Sequence, residues 1–296
     1  MLKHHRRSPA KPARVVILGK RGFVARAVAD RLARGSIKTL ALGSRELDLL
    51  DPGAARALAA RLQDRDALVI ASAIAPCKDI SELMKNLTMV EAVCGAIAQV
   101  QPSHVVYISS DAVYADQVSP VTEWSCAEPS SLHGMMHAAR ELMLKTAVKG
   151  PLCILRPSLL YGAADPHNGY GPNRFRRLAA EGRDITLFGE GEELRDHVLI
   201  DDLAEIVLLC LIHLSAGVLN VATGASTSFR AVAETVVGHF EKPVPIKGAL
   251  RRHQITHRHF DITNCYKAFP RFHYTPLAEG LAKAHRDMME AGDGRG

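Results

Sequence analysis

The segment VVILGKRGFVA, residues 15–25, joins an apolar run to a turn with two glycines and then to an amphipathic stretch. The run predicts a buried strand, and the pattern from Gly22 onward predicts a helix. Gly19 permits a tight turn, Gly22 lets a phosphate approach the backbone, and Ala25 allows close packing of helix on sheet. The free N–H groups at the start of such a helix attract phosphates. The segment therefore predicts a dinucleotide-binding turn.

Further apolar runs follow at regular intervals, with helical patterns between them. The runs are at 39–43, 67–73, 104–110 and 152–158, and the helical patterns are at 22–34, 53–63, 82–99 and 134–149. Continuous apolar strands that alternate with helices are typical of a parallel sheet covered on both faces. The fold class predicted is α/β, a doubly wound parallel sheet of the Rossmann type.

The chain divides into three parts by its pattern. Residues 1–13 are basic and carry no apolar periodicity, so we predict a disordered leader. Residues 14–162 form the predicted dinucleotide-binding domain. Residues 163–290 contain shorter elements and more Gly and Pro, and we predict a smaller, mixed α/β substrate-binding region that is partly interleaved with the first domain.

Composition excludes several classes of protein. Of 296 residues, 47% are hydrophobic and 23% are charged, which suits a globular domain with a sizeable core. No apolar run is long enough to span a membrane, and the start of the chain has no apolar secretory segment. The six cysteines form no C-x-x-C pair, which favours a reducing compartment and predicts a cytoplasmic location. The net charge of +6 suits anionic small molecules, and no nucleic-acid motif accompanies it.

The second strand ends in ALGSR, residues 41–45. An enzyme that uses NAD usually has an acidic residue here for the ribose 2′-hydroxyl, whereas an arginine suits the 2′-phosphate of NADP. Ser44 and Arg45 therefore favour NADP over NAD. The alternative is that Arg45 lies over the adenine or points into solvent.

Seven motifs occur in a fixed order: GKRGFVA (19–25), LDLLD (47–51), ASA (71–73), SSDAVY (109–114), LRPSLLYG (155–162), RDHVLIDD (195–202) and YTPLAEGL (274–281). This series resembles the extended short-chain dehydrogenase/reductase family, which includes nucleotide-sugar epimerases, dehydratases and reductases. The resemblance covers the chain from Arg14 to about His285. It implies hydride transfer by a nicotinamide dinucleotide at a sugar-ring carbon of a nucleotide-linked sugar.

The resemblance also implies a set of site residues. Those implied to bind the cofactor are Gly19, Arg21, Gly22, Phe23, Val24, Ser44, Arg45, Asp48, Leu49, Ala71, Ser72, Ala73, Asn86, His137 and Pro157. Those implied to bind substrate are Ser110, Asp111, Arg195, Arg252 and Arg258, although the last two also fit a basic surface loop. Members of the family commonly dimerise through helices equivalent to 82–99 and 134–149, so we expect a homodimer.

The catalytic signature of the family, Tyr-x-x-x-Lys, is altered here. The segment SLHGMMHAARE, residues 131–141, has His133 and His137 at the two positions, on one helix face because they are four residues apart. In a first interpretation His133 replaces the tyrosine as general acid/base, His137 holds the ribose and Ser110 binds the substrate oxygen; histidine titrates near neutral pH. In a second interpretation the fold binds the dinucleotide without catalysis. In a third the pair binds zinc, but no third ligand adjoins it, so we expect no metal.

We therefore expect an enzyme of the nucleotide-sugar epimerase/dehydratase type, with Ser110, His133 and His137 as its catalytic residues. The form of SSDAVY also resembles the dTDP-4-dehydrorhamnose reductases, which makes a keto-sugar reductase the first alternative. The second alternative is a catalytically inactive, dinucleotide-binding regulatory protein.

Overall fold

The computed structural model describes residues 2–116, 118–251 and 254–293. The strands are β1 (Lys3–His4), β2 (Arg14–Leu18), β3 (Thr39–Leu42), β4 (Asp66–Ile70), β5 (His104–Ile108), β6 (Leu152–Pro157), β7 (Leu159–Tyr161), β8 (Ile185–Phe188), β9 (Leu194–Leu199), β10 (Ser215–Val221), β11 (Ser226–Ser228) and β12 (Ile246–Ala249). The α-helices are α1 (Phe23–Arg34), α2 (Ala54–Ala59), α3 (Ile80–Gln99), α4 (Leu132–Ala147), α5 (Pro172–Ala180), α6 (Ile200–His213), α7 (Phe229–Val237), α8 (Thr263–Ala268) and α9 (Leu277–Asp293). Within the described ranges, no helix is both long and apolar enough to cross a membrane.

The central sheet has the order β3-β2-β4-β5-β6-β10-β1. Every neighbouring pair from β3 to β10 is parallel, and β1 alone joins the edge in the antiparallel sense. The strands from β2 to β6 coincide with the predicted apolar runs, and α1 to α4 coincide with the predicted helices. The predicted fold class is confirmed.

Helices cover both faces of this sheet. On one face, α1 and α6 pack through residues such as Val28, Leu32 and Leu203. On the other face, α2, α3 and α4 pack through residues such as Leu58, Val93 and Leu144. All six of these side chains are fully buried. Burial on both faces explains why the strands read as continuous apolar runs in the sequence.

The strand order creates a crevice at the edge where the parallel strands end. β3 lies on one side of β2, whereas β4 and the strands that follow it in the sheet lie on the other side of β2. The carboxyl ends of β2 and β4 therefore lie side by side at a topological switch point, which is where open α/β sheets bind their ligands.

A smaller unit lies C-terminal to this sheet. It contains the three-stranded sheet β11-β9-β7 and the two-stranded sheet β12-β8, with α5, α7 and α9 packed around Phe175 and Phe229. The elements α6 and β10 fall within 163–290, yet β10 pairs with β6 of the central sheet. The two units are thus connected by strands that alternate between them.

The N-terminal segment differs from the predicted disordered leader. Lys3 and His4 pair with Ala216 and Ser215 as strand β1. The His4 ring lies 2.8 Å from the Ser215 hydroxyl through Nδ1 and 2.9 Å from the carbonyl oxygen of Ala268 through Nε2. The prediction was wrong because it relied on side-chain periodicity, whereas backbone pairing at a sheet edge requires no such pattern.

Candidate dinucleotide and substrate site

The turn after β2 has the geometry of a phosphate-binding loop. Gly19 has a φ of +102°, and a Cβ there would lie 3.0 Å from the backbone nitrogen of Ser72. The N–H of Gly22 donates to the carbonyl of Gly19 at 2.7 Å, and Gly22 is the N-cap of α1 without any side-chain cap. The first amides of α1 therefore face the crevice unpaired, together with the positive end of the helix dipole.

The end of β4 forms the opposite wall of the crevice. The Ala71 N–H donates to the Leu18 carbonyl at 3.1 Å, which joins this segment to β2. The hydroxyl of Ser72 is buried and has no partner among the described residues. A dinucleotide lying across Gly19 would bring polar atoms to this hydroxyl, so the chemistry of the crevice fits such a ligand.

The side chain of Asn86, which we expected to bind the cofactor, is hydrogen-bonded to the loop after β4 instead. The residue is fully buried, and its amide oxygen accepts from the Ile74 N–H at 2.9 Å while its nitrogen donates to the Ile74 carbonyl at 3.0 Å. Leu49 is also buried, in the core beneath the sheet. Asn86 thus positions the loop after β4, and the side chain of Leu49 is not available to a ligand.

The end of β3 carries both basic and acidic side chains. Arg21 donates to the Ser44 hydroxyl at 3.0 Å, and Arg45 is exposed. Glu46, which was not expected from the sequence, accepts from the Gly43 N–H at 2.9 Å and pairs with Lys20 at 2.7 Å. These contacts, the one with Lys20 first, lower the pKa of Glu46. A cavity of about 390 Å³ adjoins them, lined in part by Ser44, Arg45 and Asp48.

Ser110 begins a 3₁₀ turn directly after β5. Its hydroxyl oxygen accepts from the Ala112 N–H at 3.1 Å, and the hydroxyl donates to the Asp111 carboxylate at the longer distance of 3.5 Å. The first turn of α4 packs on this turn at Gly134, where a Cβ would lie only 2.0 Å from the Ala112 carbonyl oxygen. Only glycine fits there, and the close contact brings Ser110 and His133 to the same part of the crevice.

His133 and His137 are stacked edge to face on α4, with ring centroids 4.8 Å apart. His133 is half-buried, and its Nδ1 lies 3.4 Å from the Cys77 N–H. Burial lowers the pKa of His133, while the carboxylate of Asp111 opposes that shift. His137 is 5% exposed, and its Nδ1 lies 2.7 Å from the hydroxyl of Tyr107. Burial lowers the pKa of His137 well below its usual value.

The predicted substrate arginines are not equivalent in the structure. Arg258 is buried, and its guanidinium donates to the Asp111 carbonyl at 2.9 Å and to the Asp116 carboxylate at 2.9 Å. It therefore anchors the turn after β5 and has little capacity left for a ligand, contrary to its predicted role. Arg195 is half-buried and donates to the hydroxyl of Thr256 at 2.8 Å. Arg252 lies outside the described residues.

A buried polar network beneath the site was not expected from the sequence. Glu141 accepts from Arg156 at 2.6 and 2.8 Å and from the Ser109 hydroxyl at 2.6 Å. Arg156 also donates to the Tyr114 hydroxyl at 2.8 Å. The only signal in the sequence was the presence of charged residues inside otherwise apolar elements. The network ties α4 to β5 and β6 and thereby positions the histidines.

Another cavity lies outside this crevice. Its volume is about 1070 Å³, and it lies away from the glycine turn, along the outside of α6 beside Arg31 and Phe269. In the described ranges no group of three or more His, Cys, Asp or Glu side chains could hold a metal ion.

The sequence profile of the NAD-dependent epimerase/dehydratase family matches residues 15–222, from the first residues of β2 to the end of β10. The chain belongs to this family. A curated relative, the dTDP-L-rhamnose 4-epimerase of Burkholderia thailandensis, is 31% identical over 144 residues. That alignment covers 46% of this chain and 40% of the epimerase, so the chain matches less than half the length of this relative.

Solved structures share the epimerase/dehydratase fold over nearly the whole chain. UDP-glucose 4-epimerase of Thermus thermophilus, in complex with NAD, superposes with a TM-score of 0.83 at 21% identity, covering 94% of this chain and 99% of that one. GDP-L-fucose synthetase of Naegleria fowleri, bound to NADP, gives a TM-score of 0.84 at 16% identity, covering 99% of each chain.

Proposed function

We propose that the chain binds a nicotinamide dinucleotide, NADP in preference to NAD, in the crevice between β2 and β4. The observation that carries this proposal is the turn at Gly19, whose φ of +102° leads the chain directly into the start of α1 at Gly22, where no side chain caps the amides that suit a phosphate pair. The unpartnered Ser72 hydroxyl supports it. The solved structures named above were obtained with NAD and with NADP. When bound, the nicotinamide would accept and return a hydride.

The proposed substrate is a nucleotide-linked sugar. The curated relative and the solved structures carry names of enzymes that act on such sugars. The proposed reaction is oxidation and re-reduction of one ring carbon, which is an epimerisation. The reduction of a keto-sugar is the alternative, and it requires the same residues but consumes the reduced dinucleotide.

The proton in this chemistry is assigned to His133. Nδ1 of His133 lies 3.4 Å from the Cys77 nitrogen, a distance too long to fix the tautomer, and Nε2 is the ring nitrogen assigned to exchange the proton. The neutral ring would receive the proton of a sugar hydroxyl at an unprotonated Nε2 and become an imidazolium, which would return that proton to the carbonyl oxygen in the reverse step. The hydroxyl of Ser110 would exchange its long 3.5 Å contact with Asp111 for a hydrogen bond to the same oxygen, and His137 would donate to the nicotinamide ribose.

The proposal is tested by incubating the purified protein with dinucleotide and a panel of nucleotide sugars, and following isomer formation or reduction by NMR. We expect turnover with the wild type and a loss of roughly 100-fold or more in His133→Phe, the size of a general acid/base contribution. Equal rates would remove His133 from the mechanism. Tight dinucleotide binding without turnover on any sugar would favour a regulatory binding protein. No dinucleotide binding by calorimetry, with protein shown to be free of carried-over dinucleotide, would refute the whole proposal.

The preference for NADP is tested separately with Arg45→Asp. Loss of a guanidinium beside a 2′-phosphate should weaken NADP binding by roughly tenfold or more and leave NAD binding nearly unchanged. Arg65→Asp is the control, because Arg65 is exposed at the amino end of β4. Undiminished NADP affinity in Arg45→Asp would show that Arg45 does not bind the 2′-phosphate.

A further inference from the structure

The Tyr107 hydroxyl is hydrogen-bonded to His137 inside the protein. Tyr107 is 1% exposed, and its hydroxyl lies 2.7 Å from Nδ1 of His137. A phenol proton in the interior requires an acceptor. Among the described residues Nδ1 of His137 is the acceptor present, so the phenol donates and Nδ1 must be unprotonated. A neutral imidazole then carries its proton on Nε2, the nitrogen that points away from Tyr107.

Arg140 supplies a buried positive charge next to Tyr107 and His137. Arg140 is fully buried, and its guanidinium lies 5.3 Å from the centre of the Tyr107 ring. It donates to the Ser72 carbonyl at 2.7 Å and, at the longer distance of 3.4 Å, to the Asn86 amide oxygen. No carboxylate in the described part of the chain forms a salt bridge with it. Its positive charge therefore opposes a second positive charge on the neighbouring His137.

We propose that Tyr107 and Arg140 are positioning residues that hold His137 as a neutral imidazole with its proton on Nε2. The ring then offers the ribose a hydrogen-bond donor without a charge. The positive charge at this point of the site comes instead from Arg140, one helical turn further along α4 and directly beneath the Ser72 backbone. The assignment of the ribose as ligand rests on the proposed function; the protonation state of the ring does not.

The other charged groups near His137 do not reverse this arrangement. On α4, His133 disfavours a charge on His137, and Glu141 is occupied by Arg156 of β6 and Ser109. On β5, burial raises the pKa of Tyr107 to about 12, which keeps the phenol protonated as a donor. Burial itself lowers the pKa of His137.

The experiment is long-range ¹H–¹⁵N NMR of histidine-labelled protein without dinucleotide, with His137 assigned by comparison with His137→Gln. We expect the His137 ring to remain neutral, with its proton on Nε2, from pH 8 down to pH values well below the usual histidine range. A proton on Nδ1, or a charged ring at neutral pH, would overturn the inference even if dinucleotide binds. The predicted tautomer without dinucleotide binding would leave the inference standing and refute the proposed function.

Two substitutions distinguish the contributions of Tyr107 and Arg140 to the protonation state of His137. Tyr107→Phe should release Nδ1 and produce a mixture of tautomers, whereas Arg140→Met should raise the pKa of His137, because it removes a positive charge beside the ring. Tyr114→Phe is the matched control, because Tyr114 is another buried tyrosine whose hydroxyl contacts an arginine, Arg156, and not a histidine. If Arg140→Met does not fold, Tyr107→Phe still decides. An unchanged His137 spectrum in Tyr107→Phe would contradict the proposed donor.

Discussion

Gly19 holds a backbone conformation that L-residues rarely adopt, at the point where two strand ends meet. Its φ of +102° lies in a region that is strained for any residue with a side chain. In addition, a Cβ at this position would lie only 3.0 Å from the backbone nitrogen of Ser72. We expect Gly19→Ala to lower the free energy of unfolding by about 1–3 kcal/mol and to reduce dinucleotide affinity more than tenfold. Urea unfolding and calorimetry measure the two effects.

The control for this substitution is Gly150→Ala. Gly150 is exposed, and a Cβ there would be 3.8 Å from its nearest neighbour, the Pro102 carbonyl oxygen. The free energy of unfolding of Gly150→Ala should differ from that of the wild type by no more than about 0.5 kcal/mol. Equal effects at the two positions would show that the conformation at Gly19 is not what the site requires.

His197 gives the stability a dependence on pH. It is 2% exposed beside Phe229, and neither ring nitrogen has a partner among the described residues. Burial lowers its pKa to about 4. In the unfolded chain it binds a proton below about pH 6.5. The unfolded state therefore gains protons first, and stability falls as the pH is lowered from about 6.5 toward 4.

We expect His197→Phe to remove this part of the pH dependence. Between pH 7 and pH 5 the wild type should lose about 2 kcal/mol more than the variant. Urea unfolding of both proteins at pH 5, 7 and 8 measures it, and the comparison at pH 8 isolates the difference in packing. Parallel pH profiles would mean that His197 becomes protonated in the folded protein.

At the scale of the elements, a buried ion pair fastens α4 to β6. The side chains of Glu141 and Arg156 are 3% and 6% exposed and lie 2.6 Å apart. Removing one partner leaves the other charge buried, so Glu141→Ala should cost about 3–5 kcal/mol. Because α4 carries both site histidines, the same variant should also shift their NMR signals.

The comparison that isolates burial is the exposed pair of Arg183 and Glu181, with side chains 67% and 53% exposed. Glu181→Ala should cost less than about 1 kcal/mol. The double variant Glu141→Ala, Arg156→Met should recover part of the loss, since no buried charge then lacks its partner. If the double variant is as unstable as the sum of the single variants, the two residues act independently.

At the scale of the whole molecule, apolar side chains remain uncovered on the paired helices α3 and α4. Ile80 and Met84, one turn apart on α3, are 71% and 56% exposed, and Leu142 on α4 is 64% exposed. We propose that a second copy of the chain covers this face. Light scattering should give the mass of a dimer, and Met84→Glu with Leu142→Glu should give a monomer.

Met289→Glu is the control for the dimer prediction, because Met289 is 50% exposed on α9, away from this helix pair. That variant should remain dimeric. A monomeric wild type over a wide range of concentrations would contradict the prediction.

The alternation of strands and helices, and the residues at the strand ends, could be predicted from the sequence. Apolar periodicity is a local property, and a strand followed by Gly19 or Ser110 carries its own signal along the chain. The spacing of His133 and His137 on one helix face is equally local. These features determine the fold class and the edge of the sheet where the site lies.

Only the tertiary structure decided which side chains are occupied. Arg258 is held by Asp111, 147 positions away in sequence, and Tyr107 reaches His137 across 30 positions. Asn86 supports a loop, and His4 joins a sheet edge more than 200 residues distant. Such pairings depend on how the helices and strands pack and on which buried donors lose their hydrogen bonds to water. Neither can be predicted from periodicity along the sequence, because both involve residues that are far apart in the chain.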